Sequence, residues 1–195
     1  MKTLFFSIIL LLNLNTKAAD DEIILKNGNK TTIQPNSFKV DFEEKTISFK
    51  STKNTLMKLK FNEFNSVVVG VNKFQTLKRN SNSETEGYFV LTETTTKKLL
   101  IRSQSKEEEN EIKYDLIIID SNNQIIETHT LNSKPNKKSA LLRSEIFTIV
   151  KYHFSECQKL IERMEVYDKN SYDINNTRIL SFFNNPVFYD YTKND

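Results

Sequence analysis

The chain has 195 residues, of which 37% are hydrophobic and 27% charged, enough apolar material for one domain of ordinary size. The chain has 28 basic and 25 acidic residues. If an N-terminal leader that contains Lys2 and Lys17 is removed, 26 basic residues remain against the 25 acidic ones. A nucleic-acid binder usually carries a clustered basic surplus, so this near balance argues against that class, and the single cysteine, Cys157, excludes an intramolecular disulfide.

The first 18 residues have the pattern of a cleavable secretory signal peptide. Lys2 gives a positive start, residues 4–14 are almost entirely apolar, and Thr16 and Ala18 are the small residues that a signal peptidase requires around Lys17. An uncleaved anchor needs roughly 20 apolar residues, more than this run provides. No cysteine follows the run, which excludes the lipoprotein route. The sequence therefore predicts cleavage near Ala18 and a secreted or periplasmic protein without a transmembrane segment after cleavage.

Residues 19–131 are predicted to form an antiparallel β region, because short β-rich runs are separated by polar turns. Asn27-Gly28 favours a tight hairpin, and residues 78–87, the most polar stretch, are where the region would subdivide. An open sheet and a partly closed barrel are both compatible with this pattern, as are one sheet and two. The β-rich runs are 22–26, 30–34, 37–42, 46–50, 55–61, 66–69, 74–77, 88–92, 98–102, 114–119 and 124–131.

Residues 132–195 are predicted to form a helical region that packs on the sheet. From Ser139 onward apolar residues recur at helical spacing. Ser155 with Gln158 forms a capping-box pattern, so one continuous helix and two helices that break there are both compatible with the sequence. Residues 177–183 predict a last short helix before Pro186. The fold class is therefore α+β, an antiparallel β-meander packed by C-terminal helices. The apolar side of the helical pattern comprises Leu142, Ile146, Ile149, Val150, His153, Cys157, Leu160, Ile161 and Met164.

Two parts of the chain resemble known proteins. Residues 21–30, followed by short alternating strands, resemble the opening of many secreted bacterial β-domains of unassigned role. Residues 153–161 contain an aromatic-x-acidic-Cys run, and together with 179–184 they resemble the ending of a group of uncharacterised secreted bacterial α+β proteins. In that group a second cysteine often follows the final Asn, but residues 185–188 are Asn, Pro, Val and Phe, so the implied disulfide is missing. The resemblance implies export and this fold, and no activity.

Three side chains are weak candidates for a metal site, namely His129, His153 and Cys157. On one continuous helix His153 and Cys157 share a face at the i, i+4 spacing that can hold zinc, and His129 lies on a predicted strand. Both helical residues also fall within the apolar arc, where a buried thiol and a hydrogen-bonded imidazole are ordinary. The sequence therefore favours the absence of a metal or other cofactor.

The motifs that carry common enzymatic chemistry are missing from the sequence. A Cys–His nucleophile needs a lowered thiol pKa, whereas apolar neighbours raise the thiol pKa. The sequence contains no Gly-x-Ser-x-Gly elbow, and Gly28, Gly70 and Gly87 are scattered singly. No pair of carboxylates is placed across a recognisable cleft. We therefore predict no catalytic residues and a non-enzymatic protein, with an envelope hydrolase as the weaker alternative.

Aromatic residues crowd the C-terminus and suggest the kind of function. Phe182 and Phe183 are predicted to pin the terminal segment to the core, while Phe188, Tyr189 and Tyr191 are candidates for docking a partner. The sequence thus predicts an envelope or extracellular protein of binding or structural type, whose partner is a protein or an envelope component. The alternative is a lipocalin-like carrier of a small apolar ligand, although the Gly-x-Trp expected near the first strand is absent.

Overall fold

The strands of the computed structural model follow the predicted β-rich runs. The structure describes residues 21–34, 36–80, 83–106, 111–168, 174 and 180–192, so the predicted signal peptide and residues 177–179 lie outside the described residues. The strands are β1 (Glu22–Leu25), β2 (Lys30–Thr32), β3 (Lys39–Asp41), β4 (Thr46–Lys50), β5 (Leu56–Lys60), β6 (Phe64–Val69), β7 (Asn72–Lys78), β8 (Thr85–Glu93), β9 (Lys97–Lys106), β10 (Glu111–Asp120), β11 (Ile125–Asn132) and β12 (Tyr189–Asp190). The helices are α1 (Lys137–His153), α2 (Gln158–Asp168) and α3 (Leu180–Asn184).

The main sheet has nine strands, eight of them in the order β11-β10-β9-β8-β7-β6-β1-β2. Neighbours along this path are antiparallel, which confirms the predicted α+β class with an antiparallel β region. Strand β12, which the sequence did not predict, lies beside the end of β8, just beyond the first residues of β7, and Tyr189 pairs there in parallel with Thr92. Strands β2 and β11 form the two edges, so the sheet is not closed into a barrel.

A second sheet, β3-β4-β5, separates from the predicted meander and packs on the main sheet. Its turns use residues with positive φ, Lys45 at 53° and Asn54 at 62°, which end one strand and start the next. Ile47 and Phe49 of β4 alternate with more exposed neighbours and face the apolar residues of β1, β6 and β7. The β region therefore has two sheets. The second sheet is formed by strands within residues 39–60, whereas the strands on both sides of segment 78–87 belong to the main sheet, so the subdivision does not fall at that segment.

Phenylalanine rings fill the space between the two sheets, with Phe74 of β7 at the centre. Five ring centroids lie 5.2–6.2 Å from that of Phe74, mostly in tilted or edge-to-face arrangements that aromatic pairs favour. Gly87 of β8 pairs with Thr76 of β7, and its lack of a side chain leaves room for the Phe74 ring. The five surrounding rings belong to Phe38, Phe42, Phe61, Phe64 and Phe89.

The helices pack on the face of the main sheet that also carries the three-stranded sheet, but over its other half, strands β8–β11. Helix α1 begins after Asn136, whose Oδ1 accepts a 2.9 Å hydrogen bond from the Ser139 amide, and it ends at His153. The chain divides into two helices here, which is one of the two alternatives that the sequence left open, and the Cys157 carbonyl accepts the first backbone hydrogen bonds of α2. Phe182 and Phe183 of α3 are buried with Phe147, so they pin the terminal segment as predicted. None of the described helices is long and apolar enough to cross a membrane.

The opposite face of strands β7–β10 is also filled, because the sheet curls towards it. Gln75 of β7 donates a 3.1 Å hydrogen bond to Asn123, in the turn after β10, although a flat sheet would separate β7 and β10 by about 14 Å. The interior of the curl is apolar and shielded from solvent. Its buried residues are Leu77, Tyr88, Val90, Leu100, Ile117 and Ile119.

A buried ionic network lies at one end of this curl. Arg102 of β9 donates to Asp115 of β10 at 2.8 Å and also to Glu86 of β8, while Thr130 of β11 donates to Asp115 at 2.9 Å. Burial raises the pKa of Asp115, but the hydrogen bonds from Arg102 and Thr130 outweigh it, so the pKa lies below its ordinary value. The network joins four strands through charges that are mutually compensated.

Candidate functional site

Glu127, His129 and His153 form a polar cluster between β11 and α1. Residues 127 and 129 share one face of β11 because side chains alternate along a strand, and that face lies under α1. His129 Nε2 is 2.8 Å from Glu127 Oε2, and His153 Nε2, at the last residue of α1, is 2.7 Å from Glu127 Oε1. One carboxylate therefore holds two histidines from different elements, and it ties the end of α1 to the edge strand.

The partners of His153 determine its tautomer. Lys97 Nζ lies 3.2 Å from His153 Nδ1, and an ammonium group can only donate, so Nδ1 accepts and Nε2 carries the proton donated to Glu127. Hydrogen bonds from His129 and then His153 hold the pKa of Glu127 below its ordinary value. His153 is buried and Glu127 is half-buried, so the cluster is exposed to solvent on the Glu127 side.

The structure brings together two of the three weak metal candidates and places the third elsewhere. His129 and His153 meet through Glu127, but each binds a different carboxylate oxygen. Within the described ranges, no group of three or more histidine, cysteine or acidic side chains is arranged to hold a metal ion. Cys157 is fully buried in the break between α1 and α2, 4.0 Å from the Thr92 hydroxyl, and burial raises its pKa to about 11.

The three candidate docking aromatics lie along the terminal segment and are half-buried. Phe188 packs against the interior of the curl, with Lys73 Nζ 4.9 Å from its ring centroid. Tyr189 stacks on Tyr191, with centroids 6.3 Å apart, and the Tyr191 hydroxyl accepts a 3.1 Å hydrogen bond from the Leu160 amide. These contacts attach the segment to the body of the protein and leave only part of each ring available to a partner.

An apolar groove lies where the three-stranded sheet meets the main sheet. Its volume is about 390 Å³, and one wall is formed by Val40 of β3 together with Phe38 and Phe42, which flank the strand at alternate positions and lie on the same side. Phe89 of β8 lies at the groove, and the remaining lining residues are Asn72, Asn185 and Pro186. The groove thus combines aromatic side chains with a small number of amide groups.

The wall of the groove is firmly supported, while its outer border is an open strand edge. Phe42 and Phe89 both pack on the buried ring of Phe74, with centroids 6.0 and 5.2 Å away. Strand β3 is the outermost strand of its sheet, and in the part of the chain that the structure describes no strand pairs with its outer edge. Backbone donors and acceptors of Lys39–Asp41 therefore border an apolar groove, an arrangement suited to an added extended strand.

A second cleft, about 380 Å³ in volume, lies near the start of β8 and differs in chemistry. Its lining includes Lys45, Lys60, Lys78 and Glu84. Lys45 forms ion pairs with Glu84 and with Glu86, which raise the pKa of Lys45, so the Lys45 and Glu84 charges of this cleft compensate each other. This internal pairing makes the polar cleft a weaker binding candidate than the apolar groove.

Sequence reasoning missed the groove and the role of Glu127. The alternation of residues 37–42 did indicate one apolar face. It does not reveal that β3 becomes the edge strand of a second sheet, nor that this face packs near Phe89 of β8. Glu127 had no signal beyond its i, i+2 spacing from His129.

In comparisons with known proteins, no protein family, no curated protein and no solved structure matches the chain.

Proposed function

We propose that this chain is an exported, non-enzymatic binding protein that holds an extended apolar segment of another protein in the groove beside β3. The observation that carries the proposal is the pairing of an aromatic-lined groove with an unpaired strand edge. A strand added to β3 would bond to its backbone and direct every second side chain towards Phe38, Val40 and Phe42.

The chemistry of the groove supports binding over catalysis. Phenylalanine, valine, proline and asparagine line it, and these side chains supply neither an acid, a base nor a nucleophile. The cluster around Glu127 does contain acid–base groups, but both carboxylate oxygens are bonded to histidines. Export is supported by the signal-peptide pattern of residues 1–18, and a buried free thiol of high pKa suits an oxidising compartment.

Peptide panning with matched variants tests the groove. Random displayed heptapeptides are panned against residues 19–195, and enriched peptides are measured by fluorescence anisotropy against wild type and Val40→Thr. This substitution keeps the side-chain shape but places a hydroxyl in the groove, at a cost of about 1 kcal/mol, so we expect roughly five- to tenfold weaker binding. Val69→Thr is the control, because Val69 is half-buried against the same core but is absent from the groove lining.

The outcome separates the competing hypotheses. Enriched peptides with alternating apolar residues that bind Val69→Thr normally and Val40→Thr weakly would support the proposal. Peptides affected equally by both variants, or no enrichment, would contradict it. Native mass spectrometry of the same protein completes the test, because a retained mass of lipid or metabolite size would favour the small-ligand carrier instead. Sequencing of the exported protein should give Ala19 as its first residue.

A further inference from the structure

Arg143 of α1 is a fully buried cation whose side chain is only partly hydrogen-bonded. It has no exposed surface, and Nη1 donates to the Lys134 carbonyl at 3.4 Å. Nε and Nη2 are both buried without a hydrogen-bond partner. Burial lowers the pKa of Arg143, yet a guanidinium stays charged at neutral pH, so α1 carries an uncompensated buried charge.

The two unsatisfied nitrogens define one edge of the guanidinium. Nε and Nη2 of an arginine point their N–H groups in parallel on the same side of the planar group, while Nη1 occupies the other end. This edge matches two oxygens of a carboxylate or phosphate, which accept two parallel hydrogen bonds. The unsatisfied N–H groups of Arg143 therefore have the geometry that binds an oxyanion.

The start of α1 supplies a second reason for an anion at this place. The contact between Arg143 and the Lys134 carbonyl puts the guanidinium beside the turn that leads into α1. The first turn contains Lys137 and Lys138, both exposed, and no acidic residue to complement the positive end of the helix dipole. Glu111, which approaches this turn, pairs with Lys134 at 2.7 Å.

We propose that Arg143 and the N-terminal turn of α1 form a binding site for one oxyanion. Two of its oxygens accept hydrogen bonds from Nε and Nη2 of Arg143, and the exposed Lys137 and Lys138 attract it from solvent. The ligand class is a carboxylate or phosphate group on a small molecule. The site is separate from the groove beside β3, so either can fail without the other.

Anion-dependent stability tests the site in the mature protein, residues 19–195. Urea unfolding is followed in sodium phosphate, sodium succinate and sodium chloride at one ionic strength. Phosphate or succinate should stabilise wild type relative to chloride, by roughly a tenfold shift in the folding equilibrium when the anion is at ten times its Kd. A larger effect of succinate identifies a carboxylate ligand, and a larger effect of phosphate identifies a phosphate ligand.

Two variants connect any such effect to Arg143. Arg143→Met should lose the response and, in chloride, be more stable than wild type, because it removes a buried charge that lacks a partner. Arg163→Met is the control and should respond as wild type does, since Arg163 contacts the Phe182 ring and the Val187 carbonyl instead. Wild type without an anion-specific response, or an equal response in Arg143→Met, overturns the proposal. If Arg143→Met does not fold, Lys137→Gln with Lys138→Gln must weaken the response, and an unchanged response overturns the proposal.

Discussion

The substitution Gly87→Ala tests how closely the phenylalanine cluster is packed. The new Cβ would lie 2.3 Å from Cζ of Phe74 and 2.7 and 2.8 Å from two carbons of the Phe61 ring. Non-bonded carbons rest about 3.5–4.0 Å apart, so Phe74 would have to move by roughly 1 Å or more. Its ring is surrounded by five others, and overpacking of this kind costs about 1–3 kcal/mol, occasionally more. Alanine recovers about 0.5–1 kcal/mol of backbone entropy, so we expect a net loss of about 1–2 kcal/mol.

Urea unfolding monitored by circular dichroism measures this loss. The midpoint should fall while the slope of free energy against urea stays constant, because the same surface is exposed on unfolding. Phe74→Leu removes the clashing Cζ atom, so the double variant Gly87→Ala/Phe74→Leu should be more stable than the sum of the single changes predicts, by about 1 kcal/mol or more. A Gly87→Ala protein within about 0.5 kcal/mol of wild type, or strict additivity, would refute the packing argument.

Three further predictions concern charged and reactive groups. Asp115→Ala leaves the buried Arg102 without its main partner and should cost about 3 kcal/mol in urea unfolding, whereas Asp115→Leu with Arg102→Leu should cost clearly less; equal losses would contradict this. The lowered pKa of Glu127 contributes stability that is present above its unfolded-state pKa and lost as pH falls through its folded value. Wild type should therefore lose more stability than Glu127→Gln between about pH 5 and pH 3, and parallel profiles would exclude the effect. Buried, high-pKa Cys157 should react with Ellman's reagent at pH 8 only after unfolding, and rapid native labelling would show that the thiol is accessible.

Hydrophobic periodicity was sufficient to predict most strands and the helical region. Strand β4 occupies the predicted residues 46–50, and the alternation within 37–42 correctly placed three apolar side chains on one face. Periodicity acts within an element, whereas sheet assignment depends on distant pairing. The sequence therefore did not reveal that β1 pairs with β6, or that β3, β4 and β5 leave the main sheet.

The candidate sites were less predictable because they form from elements far apart in sequence. The groove is lined by residues of β3, β8 and the segment after α3. Phe38 and Phe89 line the same groove only because these elements pack together. Similarly, Glu127 is an ordinary strand residue until α1 brings His153 to it. Strand β12 is two residues long and carries no period of its own, so its pairing with β8 could not be predicted.

The parallel pairing of β12 with β8 also constrains the order of folding. The Thr92 hydroxyl bonds to the Tyr189 carbonyl across 97 residues of sequence, so this contact closes a long loop and forms late. Asn185 and Pro186, which line the groove, precede this strand and reach their final position only when the terminal segment docks. The groove is therefore complete only when the segment after α3 has docked beside β8.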